Sequence, residues 1–183
     1  MKKLLFALPL LIAVIIGGFS IWGLSGGRDP GRIPSVLISK PVPAFELPAV
    51  EGVDVPGLAQ SDLKGSGGLV LVNAFASWCG PCRAEHPILT RIAREQELEL
   101  VGINYKDKPN DAADWLDELG NPYRRIGSDQ NGRAGIEWGL SGVPETFLIG
   151  PDGTILYREA GPVVGDGLRR LQEAITQAQG GGS

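Results

Sequence analysis

The chain opens on 21 consecutive uncharged, mostly apolar positions, Leu4 to Leu24. At about 1.5 Å per helical residue they span roughly 30 Å, the thickness of a bilayer core. Lys2 and Lys3 precede the run. The positive-inside rule therefore predicts a single-pass segment over 1–24 with a cytoplasmic N-terminus and everything beyond Leu24 exported. A cleaved signal peptide is the competing reading, because Ser25 and Gly27 are small enough for a cleavage site. The run exceeds a signal core of roughly 7–15 residues, which favours a retained anchor. Residues 25–43 are rich in Gly, Pro and Ser and are expected to be a tether. A folded domain is expected over 44–178 and a flexible tail over 179–183.

Inside the domain the apolar pattern changes period. Leu69 to Phe75 is continuously apolar except for Asn73, as suits a strand buried on both faces. A helix is predicted from Cys82 to about Gln96, with Ile88, Leu89 and Ile92 on one face and Pro87 inside it. Leu98 to Asn104 reads as a second strand, which makes a βαβ unit and a parallel pair. Asn110 to Leu119 repeats apolar residues at i, i+3, i+4 and i+7, with Asn110 as cap and Gly120 and Pro122 as stops. Tyr123 to Ile126 is expected to be a short strand. Thr146–Ile149 and Thr154–Arg158 flank Gly150-Pro151-Asp152-Gly153, which is hairpin chemistry. Asp166 is expected to cap a last helix facing Leu168, Leu171 and Ile175 inward. The sum is an α/β domain of three layers, α/β/α.

Charge and cysteine count narrow the function. With 17 basic against 21 acidic residues the net charge is -4, so no basic surface is available for phosphates and a nucleic-acid partner is not expected. Two cysteines, three positions apart, exclude a disulfide-stapled scaffold and a four-cysteine zinc site. No metal is expected, His86 reading as an ordinary helix residue.

The informative stretch is Trp78-Cys79-Gly80-Pro81-Cys82, at the junction of a buried strand and a helix. Free N–H groups at a helix start favour a thiolate on Cys79, and Cys82 lies one turn further in. Thiolate attack on a disulfide gives a mixed disulfide that the second thiol resolves. A purely structural link here would close too small a loop to stabilise much. No cofactor beyond the Cys79–Cys82 pair is expected.

The redox motif, the helix carrying Pro87 eight residues after Cys79, and Val143-Pro144 before a strand resemble the thioredoxin superfamily. The resemblance implies a cis peptide bond before Pro144, with Val143 and Pro144 beside the redox pair as the substrate-binding edge. Trp78, Gly80 and Pro81 would support the site. In that superfamily a buried Asp stands six residues before the first cysteine; here the position is Asn73, so Glu85 and Glu145 are the candidates to replace that proton acceptor. The alternative for each is a solvated surface carboxylate.

Five further fragments look like the membrane-anchored thiol–disulfide interchange proteins of cytochrome c maturation, the DsbE/CcmG family. They are Lys40-Pro41-Val42-Pro43, Cys82-Arg83-Ala84-Glu85-His86, Gly102-Ile103-Asn104-Tyr105-Lys106-Asp107, Gly120-Asn121-Pro122-Tyr123 and Gly142-Val143-Pro144-Glu145-Thr146-Phe147-Leu148-Ile149. The resemblance implies a thioredoxin-like domain with a central βα insert, placed within 107–138, and an acidic redox centre. It implies a reductase on the periplasmic side of a bacterial inner membrane that opens disulfides in apocytochrome c before haem attachment. A membrane electron carrier of the DsbD/CcdA type and other cytochrome c maturation proteins would be its partners. A general disulfide oxidase or isomerase shares the motif, because direction depends on which redox form the fold stabilises. A redox-inert haem- or apoprotein-binding module is the non-enzymatic rival. A thiol peroxidase would need Pro and Thr where Val72 and Ala76 stand.

Overall fold

The computed structural model describes Pro9, residues 12–19 and residues 37–181. The apolar run lies mostly outside the described residues. Its described part, 12–19, is helical and exposes Ile12, Val14, Ile15, Ile16 and Phe19. Among the described residues no helix is long and apolar enough to cross a membrane. The chain divides into two compact units, Met1–Arg32 and Ile33–Ser183, and the second holds the elements that follow.

In chain order these are β1 (Glu46–Leu47), β2 (Leu58–Ala59), α1 (Gln60–Leu63), β3 (Val70–Phe75), α2 (Gly80–Glu95) and β4 (Glu99–Tyr105). Then come α3 (Pro109–Leu119), β5 (Ile126–Asp129), α4 (Arg133–Glu137), β6 (Glu145–Ile149), β7 (Ile155–Ala160) and α5 (Asp166–Gly180). The main sheet has the order β5-β4-β3-β6-β7. β3, β4 and β5 run parallel; β6 and β7 are antiparallel. The predicted βαβ unit and hairpin are both present. Gly153 takes φ +82° in the turn, and the Asp152 carboxylate accepts from Thr154 N–H and Oγ–H.

Strand alternation divides the core. Leu71 and Phe75 join Leu89, Ile92, Trp115, Leu116, Leu171 and Ile175, so α2, α3 and α5 share one face. Val70, Val72 and Ala74 join Leu58, Leu63, Trp138 and Phe147 on the other. Among the described residues the second outer layer holds no long helix. It consists of the β1–β2 ladder, two short helices and Trp138, elements too short for a periodic signal in the sequence.

Several boundaries differ from expectation for local reasons. α3 starts at Pro109, with Lys108 rather than Asn110 as its cap, because a proline at the first helical position needs no acceptor for an N–H. Gly165, not Asp166, caps α5, and the helix runs through residues 179 and 180 of the expected tail. The edge strand is 126–129 instead of 123–126. Gly, Ser and Asp form strands poorly, yet pairing with β4 and bonds from Ile126 N–H to Pro56 O and Ser128 N–H to Pro48 O impose it. A side chain at Gly127 would meet Leu47 Cβ at 2.7 Å, so the ladder rests on bare backbone. The end of the expected tether also docks. Val42 is buried, and Ser39 N–H and Val42 N–H donate to Ile155 O and Gly153 O. These segments cover backbone groups at both edges of the sheet.

Candidate active site

β3 carries the chain out of the core, and Ser77 and Trp78 turn it into α2. Cys79 is the N-cap residue of that helix, with Gly80 and Pro81 at its first two positions. The cysteines form a disulfide with Cα atoms 5.3 Å apart. The Cys82 N–H donates to Cys79 Sγ across 3.1 Å, the place where a helix start meets an anionic sulfur. Both cysteines are buried among residues of the helical core face. Trp78 is 60% exposed, its indole N–H donating to Lys106 O.

The Val143–Pro144 bond is cis. Ala74 pairs with Glu145, so Val143 and Pro144 continue β6 at the end of the sheet where β3 leads to Cys79. Val143 packs against the cluster that contains both cysteines.

The two candidate carboxylates are both buried, which removes the surface alternative, but they are held differently. Glu85 lies one helical turn beyond Cys82, on the same side of α2. Its Oε1 accepts from Asn73 Nδ2 at 2.8 Å and its Oε2 from the Val163 N–H at 2.7 Å. Burial pushes its pKa up to about 7; the two donors oppose that rise and the Glu159 charge adds to it. Glu145 is paired with Arg158, Nε to Oε2 at 2.7 Å and Nη2 to Oε1 at 2.9 Å, and also accepts from Ser141 N–H and Oγ–H.

Three participants were not among the sequence candidates. Asn73 sits at the centre of a polar cluster inside the core, donating also to Thr146 Oγ1 at 3.1 Å and accepting from Tyr123 Oη–H at 2.8 Å. Burial, and secondarily the Glu85 charge, hold the Tyr123 phenol well above its ordinary pKa, so it keeps its proton. Asp107 accepts four bonds: Ser77 N–H at 2.6 Å, Ser77 Oγ–H at 2.7 Å, Asn104 Nδ2 at 2.9 Å and Lys108 N–H at 3.0 Å. It ties the loop before Cys79 to the end of β4. In the sequence Asn73 stands out as the residue in place of a buried Asp, and Tyr123 and Asp107 only as members of the family-like fragments.

His86 is buried with Nε2 2.9 Å from Gly120 O, against the edge of Trp115 at 4.7 Å. Burial lowers its pKa despite that bond, and a carbonyl only accepts, so the ring is neutral with its proton on Nε2. Among the described residues no group of three or more His, Cys, Asp or Glu side chains is arranged to hold a metal ion.

Comparison with known proteins agrees with this geometry. The Redoxin family model matches residues 38–175. Thiol:disulfide interchange protein CycY of Rhizobium leguminosarum is 42% identical, with 96% of each chain covered. Thiol:disulfide interchange protein DsbE of Escherichia coli K12 is 44% identical, covering 88% of this chain and 87% of that one. A crystal structure of a candidate DsbE from Chlorobium tepidum superposes with TM-score 0.67 at 26% identity, covering 77% of this chain and 96% of that one. A thioredoxin-like sheet and a Cys-x-x-Cys pair at a helix start therefore occur together here in a member of the Redoxin family, and the chain belongs to its thiol:disulfide interchange proteins.

Proposed function

We propose that the protein is a membrane-anchored, periplasmic reductase of apocytochrome c disulfides, working without a resident cofactor. The observation that carries the mechanism is Cys79 at the cap of α2 with the Cys82 N–H on its sulfur. In the reduced enzyme that N–H and the helix start stabilise the Cys79 thiolate. The thiolate attacks one sulfur of the client disulfide, a Cys79–client bond forms, and the other client sulfur leaves as thiolate. Cys82 then gives its proton to Glu85 and attacks Cys79 Sγ. The Cys79–Cys82 bond forms as the Cys79–client bond breaks, so the client gains the two electrons that the pair loses. A membrane dithiol carrier of the DsbD/CcdA class returns those electrons.

Leu4–Leu24 is the anchor in this reading, with Lys2 and Lys3 holding the N-terminus in the cytoplasm. An anchor keeps the enzyme near emerging chains and near a membrane-embedded donor. The client is inferred from chemistry: a Cys-x-x-Cys-His segment adds haem only as free thiols, and an exported chain meets oxidants first. Trp78 and the Val143–Pro144 edge offer an apolar face and an extended backbone to such a segment. A deletion strain should lose covalent c-type haem while general disulfide formation stays normal, with partial rescue by a small added thiol. Normal cytochrome c with misoxidised secreted proteins would point to a general oxidase or isomerase. Replacing Cys82 with Ser should trap clients on Cys79; trapping by Cys79→Ser instead would reverse the roles.

A further inference from the structure

Sequence comparison with thioredoxins leaves Asn73 looking like an absence, a carboxylate replaced by an amide that can take no proton. The structure gives that amide a different task. We propose that Asn73 and Tyr123 are positioning residues for proton exchange at Glu85, the phenol fixing the amide so that its N–H side faces the carboxylate. The proposal rests on the reading of Glu85 as the group that takes the Cys82 proton.

The argument is one of hydrogen-bond directions. An amide has a donating and an accepting end, and its orientation is set by its neighbours. The Asn73 N–H₂ meets three acceptors on one side, Glu85 Oε1 at 2.8 Å, Thr146 Oγ1 at 3.1 Å and the Glu145 carbonyl at 3.4 Å. On the other side Tyr123 Oη, whose proton is held, donates to Oδ1. The Tyr123 ring is itself fixed, stacked on Phe75 with centroids 4.9 Å apart. A Cβ at Gly102 would stand 2.8 Å from the Phe75 ring, so that glycine makes room for the stack. Turning the amide over would aim a carbonyl at the Glu85 carboxylate and take from the Tyr123 hydroxyl its acceptor, Asn73 Oδ1.

The consequence concerns which form of Glu85 the site accepts. Both carboxylate oxygens face N–H donors, one from Asn73 on β3 and one from Val163 ahead of α5. Two N–H donors on the carboxylate favour the anion. Desolvation and Glu159 on β7 favour the neutral acid. Glu159 is itself bound by Arg170 of α5 and by the Tyr157 hydroxyl. On α2 the neighbours are Cys82 and the neutral His86. Removing the donor from Asn73 leaves burial and Glu159 unopposed on that side, and the carboxyl then holds its proton to higher pH.

The test is the pH dependence of the resolving step. The full-length chain in detergent is reduced and mixed with a peptide disulfide of the Cys-x-x-Cys-His type, and release of the reduced peptide is timed from pH 5 to 9. Wild type should accelerate through a midpoint set by Glu85. Tyr123→Phe keeps the ring and removes only the donor; its midpoint should rise by about one pH unit, which slows release roughly tenfold below that midpoint. Asn73→Ser, which cannot span to both partners, should shift it the same way. Ile92→Val, a core change on the same helix outside the network, should leave the midpoint in place. An unshifted Tyr123→Phe profile, with Glu85→Gln abolishing the midpoint, overturns the positioning role and leaves Glu85 as acceptor. A midpoint that survives Glu85→Gln overturns the reading of Glu85 itself.

Discussion

Glu85 and Glu145 are each 1% exposed; Glu85 is on the helix that carries the redox pair, and Glu145 is on β6, paired with the strand that leads to it. Their partners separate them. Glu145 meets a guanidinium through two bonds, with a serine N–H and hydroxyl completing its shell. Its charge is neutralised where it stands, and the pair fastens the loop at Ser141 to β7. Glu85 is held by two neutral donors, and burial pushes its pKa up to about 7. Burial alone therefore does not suit a carboxylate to take a proton. A carboxylate with a fixed cation beside it is a brace, while one held by dipoles against desolvation can exchange a proton near neutral pH.

Breaking the brace should have the largest effect. Arg158→Ala leaves the Glu145 charge buried without its counter-ion, which destabilises by about 3–5 kcal/mol. Urea unfolding of the full-length chain in detergent at pH 7 measures it. A loss below about 1 kcal/mol would place Glu145 with the exposed carboxylates, where pairs contribute little.

Glu85 should show itself in pH rather than in a single stability value. Its native pKa is about 7 against an ordinary 4.5. Between those values the unfolded chain releases a proton that the native chain keeps, so stability falls as pH rises, by about 3 kcal/mol in all, and levels off above pH 7. Below about pH 4.5 both forms are protonated and the contribution is complete. Unfolding of the oxidised chain across that window should show the slope, and Glu85→Gln should flatten it. A slope unchanged in Glu85→Gln would assign it to another group.

The contrast between the carboxylates was only partly legible in the sequence. The Cys79–Cys82 motif is local, and a buried strand running into a helix is visible from period alone. The hairpin announces itself through Gly150-Pro151-Asp152-Gly153. The partners of Glu85 and Glu145 are different: Asn73 and Val163 stand 12 and 78 residues from Glu85. Only the fold sets them against it, so the sequence names both carboxylates without telling them apart. The same distance hides Tyr123, 50 residues from Asn73. The ladder β1–β2 escapes because two-residue strands have no period, and the strand expected at 123–126 lies three residues later because Ile-Gly-Ser-Asp has no strand preference to mark it.

Asp107 extends the comparison to a third buried carboxylate. It has neutral donors like Glu85, but four of them, and it braces like Glu145. Asp107→Ala should cost about 1–3 kcal/mol through the donors it strands. The loop carrying Trp78 to Cys79 loosens, so peptide-disulfide reduction should slow several-fold at every pH, with no shift of the midpoint. A shifted midpoint would instead join Asp107 to the proton path.

The smallest effect isolates what burial contributes. Arg83 and Glu118 link α2 to α3 by two bonds of 2.6 and 2.9 Å, as short as those between Arg158 and Glu145. Their side chains are 46% and 62% exposed. Water solvates either partner when the other is removed, and salt screens their attraction. Arg83 also adjoins Cys82 in sequence, so an effect of its charge on the redox pair would appear in the same variant. Arg83→Ala should leave both the urea midpoint and the peptide-reduction profile where they are in wild type. A loss approaching that of Arg158→Ala would mean that bond geometry, rather than the cost of an unpaired buried charge, sets the strength of these pairs, and Glu145 would lose its distinction from surface carboxylates.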